Sequence, residues 1–252
     1  MIQIIEHGAI RELRLDRPPV NALSAELMVA LKEAIQAAPS DGARALVLSG
    51  APGRFSGGLD VPLLLSLDRP AMAALWREFY GLLGAIAGSP IPIVTAITGH
   101  APAGGTVLAL FCDWRVMAEG NYKIGLNEVQ VGIPLPPVIL AGLRRLVGRR
   151  QAERLAVSGA LLSPQEGLGV GLVDELVAFE RVVDRAVEWC QSLLALPVEA
   201  MTSTRRLARA DLVSLFDTDL GPELERVIAG WWSPETQGTL RALVERLRKK
   251  TG

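Results

Sequence analysis

The sequence has 252 residues, half of them hydrophobic, which is enough for one sizeable core. Its formal net charge is −1, so the charge balance gives no sign of a general affinity for nucleic acid or for membrane surfaces. Proline and glycine interrupt the longest apolar runs before they reach the length of a membrane-spanning helix.

Cysteine and histidine usage argues against a disulfide framework and against a metal site. Cys112 and Cys190 lie far apart in apolar, helix-like runs, and the two histidines show no metal-ligand spacing. The first strand-like run, residues 2–5, has no signal or transit segment before it, and residues 249–252 do not form a peroxisomal address. We therefore expect a cytoplasmic protein without a metal ion.

The first fifty residues predict the beginning of an α/β core. Residues 2–5 and 9–15 have the pattern of two strands joined by a hairpin turn. The proline pair in residues 16–21 indicates a loop, and Ser24 is placed to cap an amphipathic helix. Residues 44–49 then predict a buried strand. The order strand, strand, helix, strand favours the α/β class.

Two glycine-rich turns point to a binding site. The first, residues 53–60, reads GRFSGGLD and follows a predicted strand. In the second, residues 96–116, an apolar strand passes through Gly104 and Gly105 into a short buried helix. This layout leaves free backbone N–H groups, which can bind an anion or an oxyanion that forms during a reaction. The alternative is that the glycines only allow the helix to pack closely on the strand.

A third glycine cluster, residues 167–171, does not indicate a dinucleotide site. A phosphate-binding glycine turn should follow a strand and open a helix. Here a helix that starts at Ser163 with a capping box comes before the glycines, and a strand at residues 172–177 follows. We interpret the cluster as a turn from helix to strand.

The C-terminal part of the chain predicts helices throughout residues 179–248. The composition changes near Leu196, so we divide the chain into a core of residues 1–196 and a helical region of residues 197–252. The pair Trp231-Trp232 is interpretable either as core or as an interface between subunits.

Three motifs, taken in order, resemble those of the crotonase superfamily, the enoyl-CoA hydratases and isomerases. They are FSGGLD at residues 55–60, HAPAGGTVLALFCDWRV at 100–116 and IGLNEVQVGI at 124–133. The likeness covers about residues 2–177, and within the superfamily it is greatest to the Δ3-Δ2-enoyl-CoA isomerases. It implies an α/β fold, a spiral of repeated β-β-α units followed by a C-terminal helical trimerisation region.

The same resemblance implies an acyl-CoA substrate, a role in fatty acid degradation, and a homotrimer or hexamer. Coenzyme A would be part of the substrate, and no other cofactor is expected. The predicted helix at residues 70–87 is either an ordinary core helix or a wall of the acyl-binding tunnel. The positions that match substrate-binding positions are Gly57, Gly58, Leu59, Asp60, Val61, Gly104 and Asn127.

Glu128 is the candidate general acid and base. It lies among apolar residues in the third motif, and an apolar environment raises the pKa of a carboxyl group because desolvation disfavours the anion. Such a group can shuttle a proton near neutral pH. The backbone N–H groups of Leu59 and Gly104 are the candidates for holding the negative charge of a thioester enolate. Asn127 either orients Glu128 or caps the short helical turn predicted at residues 127–131.

Val107 favours isomerisation over hydration. In the hydratases that the chain resembles, a glutamate occupies this position, and hydration uses two carboxylates to place and activate water. Moving a double bond needs no water and only one base. The sequence therefore favours a shift of a 3-enoyl to a trans-2-enoyl thioester, with Glu128 as the single acid/base.

Several polar residues near the two turns have competing interpretations. Arg17 and Arg54 are candidates for binding the phosphates of coenzyme A, or are solvated loop charges. We favour Asp60 as a helix cap. Ser56 does not lie in a G-x-S-x-G elbow, so a serine hydrolase is poorly supported, although His100 is present.

Two further functions stay open. The same fold and site could carry out another acyl-CoA reaction, as a hydratase, a thioester hydrolase or a dehalogenase. A protein of another class, an RNA-binding or scaffold module, would use the basic residues 144–145, 149–150 and 246–250. Such runs are usually solvated, and the near-zero net charge argues against the second alternative.

Overall fold

The computed structural model describes the backbone of residues 1–251 and the side chains of residues 1–246, and it shows a mixed α/β fold. The strands are β1 (Ile2–His7), β2 (Ile10–Leu15), β3 (Ala45–Ser49), β4 (Gly53–Arg54), β5 (Ile93–Ile97), β6 (Gly99–Pro102), β7 (Trp114–Ala118), β8 (Ile124–Gly125) and β9 (Glu175–Val177). The helices are α1 (Ala25–Ala37), α2 (Val61–Leu64), α3 (Arg69–Ala87), α4 (Gly104–Leu110), α5 (Pro137–Ser158), α6 (Pro164–Gly169), α7 (Val182–Leu194), α8 (Val198–Ala208), α9 (Ala210–Val213), α10 (Gly221–Trp231) and α11 (Pro234–Thr251). Short 3₁₀ helices are formed by Glu128–Val131, Phe179–Arg181 and Ser214–Phe216.

The main sheet has the strand order β1-β2-β3-β5-β7-β9. Its first pair is the predicted hairpin, antiparallel with Ile2 opposite Leu15, and the other pairs are parallel. Both faces are buried: Leu46 and Leu48 of β3 point into the larger core, while Val47 points towards α7 on the opposite face. A parallel sheet covered on both faces explains why these strands are continuous apolar runs.

A second, smaller sheet has the order β4-β6-β8, and its strands are parallel. The sequence does not predict these strands, because they have only two to four residues each and lie within the three motifs. Gly53 pairs with Gly99, and Ala101 pairs with Ile124. Because the three strands are parallel, their carboxyl ends lie at the same edge of the sheet. The residues that follow each strand, which belong to the three motifs, are therefore close together.

The predicted caps at Ser24 and Ser163 and the predicted apolar face of α3 are confirmed. Ser24 caps α1, its side chain accepting a hydrogen bond from the backbone N–H of Leu27 at 3.3 Å. Ser163 begins α6 with the predicted capping box, and Gly171, at φ 80°, makes the turn from α6 towards β9. Helix α3 packs against α1, and the whole of its predicted apolar face is buried: Leu75, Trp76, Phe79, Leu82, Leu83 and Ile86.

The C-terminal helices share the larger core. Helix α10 packs on α3, and α11 packs on the 3₁₀ helix Glu128–Val131. Trp231 is buried in that core, whereas Trp232 is 38 % exposed, so the two members of the pair have different environments. The boundary near Leu196 stays a prediction. No helix within residues 1–251 is both long enough and apolar enough to cross a membrane.

Both cysteines are free thiols in buried positions. Burial raises the pKa of Cys112 and of Cys190 to about 12, so both stay protonated at neutral pH. Among the described residues, no group of three or more His, Cys, Asp or Glu side chains could hold a metal ion.

Candidate active site

The two glycine-rich turns face one another at very short range. A Cβ atom on Gly58 would lie 3.1 Å from the amide nitrogen of Gly104, and one on Gly104 would lie 3.3 Å from the amide nitrogen of Leu59. Gly58 also has a φ of 87°, which favours glycine. Within the described part of the chain, the N–H groups of Leu59 and Gly104 donate no hydrogen bond. The fold thus brings together two free backbone donors from distant segments.

The residue before the second donor is in a strained backbone conformation. Ala103 has φ 49° and ψ −120°, a region that L-residues rarely adopt. Its N–H donates to the carbonyl oxygen of Gly125 at 2.8 Å, and the N–H of Gly125 donates to Oγ1 of Thr106 at 2.8 Å. These bonds to the third motif hold the strained turn and fix the direction of the Gly104 amide.

The first turn is held by Asn21, whose side chain is buried and whose φ is 51°. Its Nδ2 donates to the carbonyl oxygens of Leu15 and Phe55, both at 3.1 Å, and its Oδ1 accepts from the N–H of Arg17 at 2.8 Å. Ser56 Oγ donates to the carbonyl oxygen of Asn21 at 2.8 Å. One loop residue therefore ties the end of β2 to the FSGGLD turn.

We expect Asn21→Ala to lower the free energy of unfolding by about 1–3 kcal/mol for the lost buried hydrogen bonds, and by about 1–2 kcal/mol more for the left-handed φ. Asn21→Gly loses the same hydrogen bonds but tolerates this φ, so it should be the more stable of the two variants. Urea denaturation of the three proteins measures both effects. Equal stability of wild type and Asn21→Ala would contradict the assigned role.

Glu128 begins the short 3₁₀ helix Glu128–Val131, which ends at Gly132 in the left-handed conformation. The backbone carbonyl of Glu128 accepts from the N–H of Ile133 at 3.0 Å. Its side-chain Oε2 is buried and has no hydrogen-bond partner. Desolvation by burial raises the pKa of this carboxyl from 4.5 to about 7, opposed weakly by a backbone hydrogen bond. At neutral pH both protonation states are therefore populated.

Glu128 and the two turns line one cavity of about 290 Å³, which we name the site cavity. Among the predicted site residues, those that line it are Gly57, Leu59, Val61, Gly104, Asn127 and Glu128. Trp76 and Phe79 of α3 also line it, whereas the rest of the apolar face of α3 packs in the core. The core interpretation therefore holds for most of this face, and a role of Trp76 and Phe79 as a wall of the acyl-binding tunnel stays a prediction.

Three of the residues that line the site cavity carry a buried polar atom without a hydrogen-bond partner. In the described residues, four buried side-chain polar atoms have no hydrogen-bond partner, and three of them belong to residues that line this cavity. The three are Nε1 of Trp76, Oδ1 of Asn127 and Oε2 of Glu128. Asn127 precedes the 3₁₀ helix but makes no capping bond, so the capping interpretation fails. Because buried unpaired polar atoms are costly, they indicate a place where a ligand supplies partners.

Val107 lies in α4 with 1 % of its surface exposed, and it also lines the site cavity. Glu128 is the only carboxylate among the described residues that line this cavity. The arrangement thus offers one proton-transferring group and two backbone donors, with no second carboxylate to activate water.

The other predicted site residues lie around the first turn rather than in the site cavity. Asp60 caps α2 as predicted, its Oδ1 accepting from the N–H of Leu63 at 3.2 Å. Its Oδ2 is 2.6 Å from the guanidinium of Arg17. Arg54 is exposed and donates to the carbonyl oxygen of Pro19 at 2.6 Å. Gly58 supports the turn by its backbone conformation. The binding of coenzyme A phosphates by Arg17 and Arg54 stays a prediction.

The structure gives the remaining alternatives little support. Ser56 is fully buried and hydrogen-bonded to backbone groups, while His100 is exposed and accepts from the N–H of Lys123 at 3.2 Å. Of the basic residues, Arg145 is paired with Asp211 at 3.0 Å. The side chains of residues 247–250 lie outside the described part of the chain.

Sequence reasoning missed the part of the site cavity that comes from distant segments. Pro136 and Ile139 line it near the start of α5, and Leu243 lines it from α11. Their apolar side chains have no distinguishing pattern in the sequence. Only the packing of α11 on the 3₁₀ helix brings Leu243 to the site cavity.

Comparison with known proteins agrees with this geometry. Residues 6–217 match the family model described as enoyl-CoA hydratase/isomerase. Human mitochondrial enoyl-CoA delta isomerase 1 is 32 % identical over 248 residues, which is 97 % of this chain and 82 % of the relative. A protein from Mycobacterium avium, named as a probable enoyl-CoA hydratase, is 36 % identical over 222 residues, covering 86 % of this chain and 82 % of the relative.

The solved structures show the same relationship. The crystal structure of human mitochondrial delta3-delta2-enoyl-CoA isomerase matches with a TM-score of 0.94 and 31 % identity, and covers 100 % of this chain and 99 % of that one. An enoyl-CoA hydratase from Mycobacterium ulcerans matches with a TM-score of 0.82 and 30 % identity, and covers 91 % and 99 %. The predicted crotonase fold is therefore confirmed. The chain belongs to the enoyl-CoA hydratase/isomerase family, the crotonase superfamily of enzymes.

Proposed function

We propose that this enzyme is a Δ3-Δ2-enoyl-CoA isomerase, which converts a 3-enoyl-CoA into the trans-2-enoyl-CoA. The observation that carries the proposal is one carboxyl group with a pKa of about 7, without a hydrogen-bond partner at Oε2, in the same cavity as two free backbone amides. The relatives named as isomerases support the reaction type.

In the proposed reaction, ionised Glu128 removes a proton from C2 of the 3-enoyl thioester. The electron pair is delocalised over the double bond and the carbonyl, giving a dienolate with negative charge on the thioester oxygen. The amides of Leu59 and Gly104 donate to that oxygen, and each such donor is typically worth ~2.7–4 kcal/mol at the transition state. Protonated Glu128 then returns the proton to C4, which leaves the double bond between C2 and C3.

Val107 and the other apolar lining residues protect this sequence of steps. The dienolate must wait for a proton from Glu128, and water in the site cavity would compete as a proton source or as a nucleophile. A carboxylate at position 107 would hold such a water. The valine instead leaves Glu128 as the single acid/base, and this is why we favour an isomerase over the hydratase named for some relatives.

Other predicted site residues would bind the parts of the substrate that do not react. Gly57, Val61 and Asn127 would contact the acyl thioester, while Arg17, which is paired with Asp60, and the exposed Arg54 would bind the phosphates of coenzyme A. The reaction needs no cofactor besides the coenzyme A that the substrate carries. We propose that the enzyme acts in fatty acid degradation.

A trimer, or a hexamer of two trimers, is part of the proposal. An open, mainly apolar groove of about 500 Å³ lies between α7 and α8, and Leu196 and Val198 beside it are about half exposed. Exposed apolar patches of this kind mark interfaces between subunits. The buried free thiols are compatible with a reducing compartment, and we propose the cytoplasm.

The test is an assay of the purified protein with trans-3-hexenoyl-CoA, which follows the conjugated product by absorbance. We expect turnover to trans-2-hexenoyl-CoA without added cofactor. Crotonyl-CoA in the same assay tests hydration, and release of free coenzyme A tests thioester hydrolysis. Hydration at a rate equal to or above isomerisation would overturn the argument from Val107 and favour the hydratase.

A further inference from the structure

A second cavity of about 280 Å³ adjoins the site cavity, and we name it the distal chamber. It lies between residues 132–137 and helix α10, with Thr236 of α11 at one side. Ile133 and Pro136 line both spaces, so these two side chains form the wall between them. The distal chamber therefore continues the space in which the acyl group of the proposed reaction would lie.

The lining of the distal chamber is mainly apolar, and the charged residues in its described part are Glu223 and Arg226, of which Arg226 is exposed. The hydroxyl of Thr236 donates to the carbonyl oxygen of Gly132 at 2.6 Å, and the carboxylate of Glu223 accepts from the hydroxyl of Tyr80 at 3.0 Å. Among the described residues, none that lines the distal chamber has a buried side-chain polar atom without a partner. The unpaired atoms lie instead at the site cavity. An apolar occupant of the distal chamber thus displaces no needed hydrogen bond.

The size of the site cavity limits the length of acyl chain that it can hold. A dry apolar cavity of about 150 Å³ holds one benzene molecule, so a space of about 290 Å³ holds roughly twelve carbon atoms at most. The thioester and the reacting carbons take part of that volume. An acyl group longer than about ten carbons must therefore extend beyond the site cavity.

The wall residue Ile133 is fixed to the segment that carries Glu128. Its N–H donates to the carbonyl oxygen of Glu128 at 3.0 Å, so its backbone cannot move away from the site without breaking the 3₁₀ turn. Its side chain is therefore a fixed part of the wall between the two cavities. We propose, resting on the proposed function, that the distal chamber binds the distal carbons of long acyl chains and that Ile133 and Gly230 determine chain-length specificity.

Gly230 offers a direct way to fill the distal chamber. It lies in α10, lines the chamber, and a Cβ atom built on it meets no other atom within 4 Å. Gly238 in α11 is the matched control, because a Cβ there also meets nothing, and it lines neither cavity. Replacement of either helical glycine by leucine should leave the fold intact.

We expect Gly230→Leu to lower kcat/KM for trans-3-tetradecenoyl-CoA by about tenfold or more, through lost apolar contact, while kcat/KM for trans-3-hexenoyl-CoA changes by less than about twofold. Gly238→Leu should leave both values unchanged. Ile133→Ala should open the wall between the two cavities and raise the ratio of kcat/KM for the long-chain substrate to kcat/KM for the short-chain substrate. If Gly230→Leu lowers kcat/KM equally for both substrates, or for neither, the proposal is wrong.

Measurements of acyl-CoA binding test the distal chamber independently of the proposed reaction. If the wild type isomerises neither substrate, calorimetry with saturated hexanoyl-CoA and tetradecanoyl-CoA gives the same comparison without turnover. Weaker binding of tetradecanoyl-CoA alone by Gly230→Leu would then support the distal chamber and reject the isomerase. A wild type that binds tetradecanoyl-CoA no more tightly than hexanoyl-CoA would reject the distal chamber itself.

Discussion

Glu128→Gln is expected to lower kcat for the isomerisation of trans-3-hexenoyl-CoA by about 10²–10⁴-fold, while KM changes little. Glutamine keeps the size and polarity of the side chain but cannot accept the C2 proton. Glu128 is the one carboxylate among the described residues that line the site cavity, so the structure offers no substitute base there. The measurement is steady-state kinetics on conjugated product.

Glu153→Gln is the matched control, since Glu153 is exposed on α5 and lines neither cavity. It should have the kinetics of the wild type. Binding of a saturated acyl-CoA should be retained by both variants, because the two turns do not depend on the Glu128 carboxylate. Isomerase activity of Glu128→Gln within about fivefold of the wild type would remove Glu128 from the proposed mechanism.

Much of the fold could be read from the sequence because local signals agreed with the tertiary structure. The N-cap at Ser24, the capping box at Ser163 and the apolar face of α3 each act through residues three or four positions apart, so a short stretch is sufficient to reveal them. The free amides of Leu59 and Gly104 could be predicted only as two separate turns. Their proximity depends on the pairing of β4 with β6, which no local pattern encodes.

The rest of the site depends on long-range packing. Asn21 holds the first turn through a bond to Phe55, which lies 34 residues away, and Leu243 reaches the site cavity from the last helix. The sequence places Asn21 only in a loop, because an αL residue between prolines and a helix has the same local pattern as any other turn residue. The raised pKa of Glu128 could be anticipated in direction from its apolar neighbours. Its extent follows from the burial of the 3₁₀ helix against α5 and α11, which the sequence does not show.

That burial makes the ionised carboxylate of Glu128 a cost to the folded state. The pKa of Glu128 is about 7 in the folded protein and 4.5 as its ordinary value, so the folded state binds more protons than the unfolded state between these limits. The contribution of this group to stability is fully present below about pH 4.5 and is lost as the pH rises through about 7. At about 1.36 kcal/mol per pH unit, the total is roughly 3 kcal/mol.

Glu128→Gln removes this titration, so its free energy of unfolding relative to the wild type should rise by about 3 kcal/mol between pH 4.5 and pH 8. Urea denaturation over this range measures the difference, at one subunit concentration because association would contribute to stability. Glu153→Gln should follow the wild type at every pH. If the free energies of unfolding of Glu128→Gln and the wild type change with pH in the same way, the carboxyl is not desolvated. The pH at which the difference levels off, about 7, should match the lower pKa of kcat/KM, because the same desolvation that destabilises the carboxylate makes it a base at neutral pH.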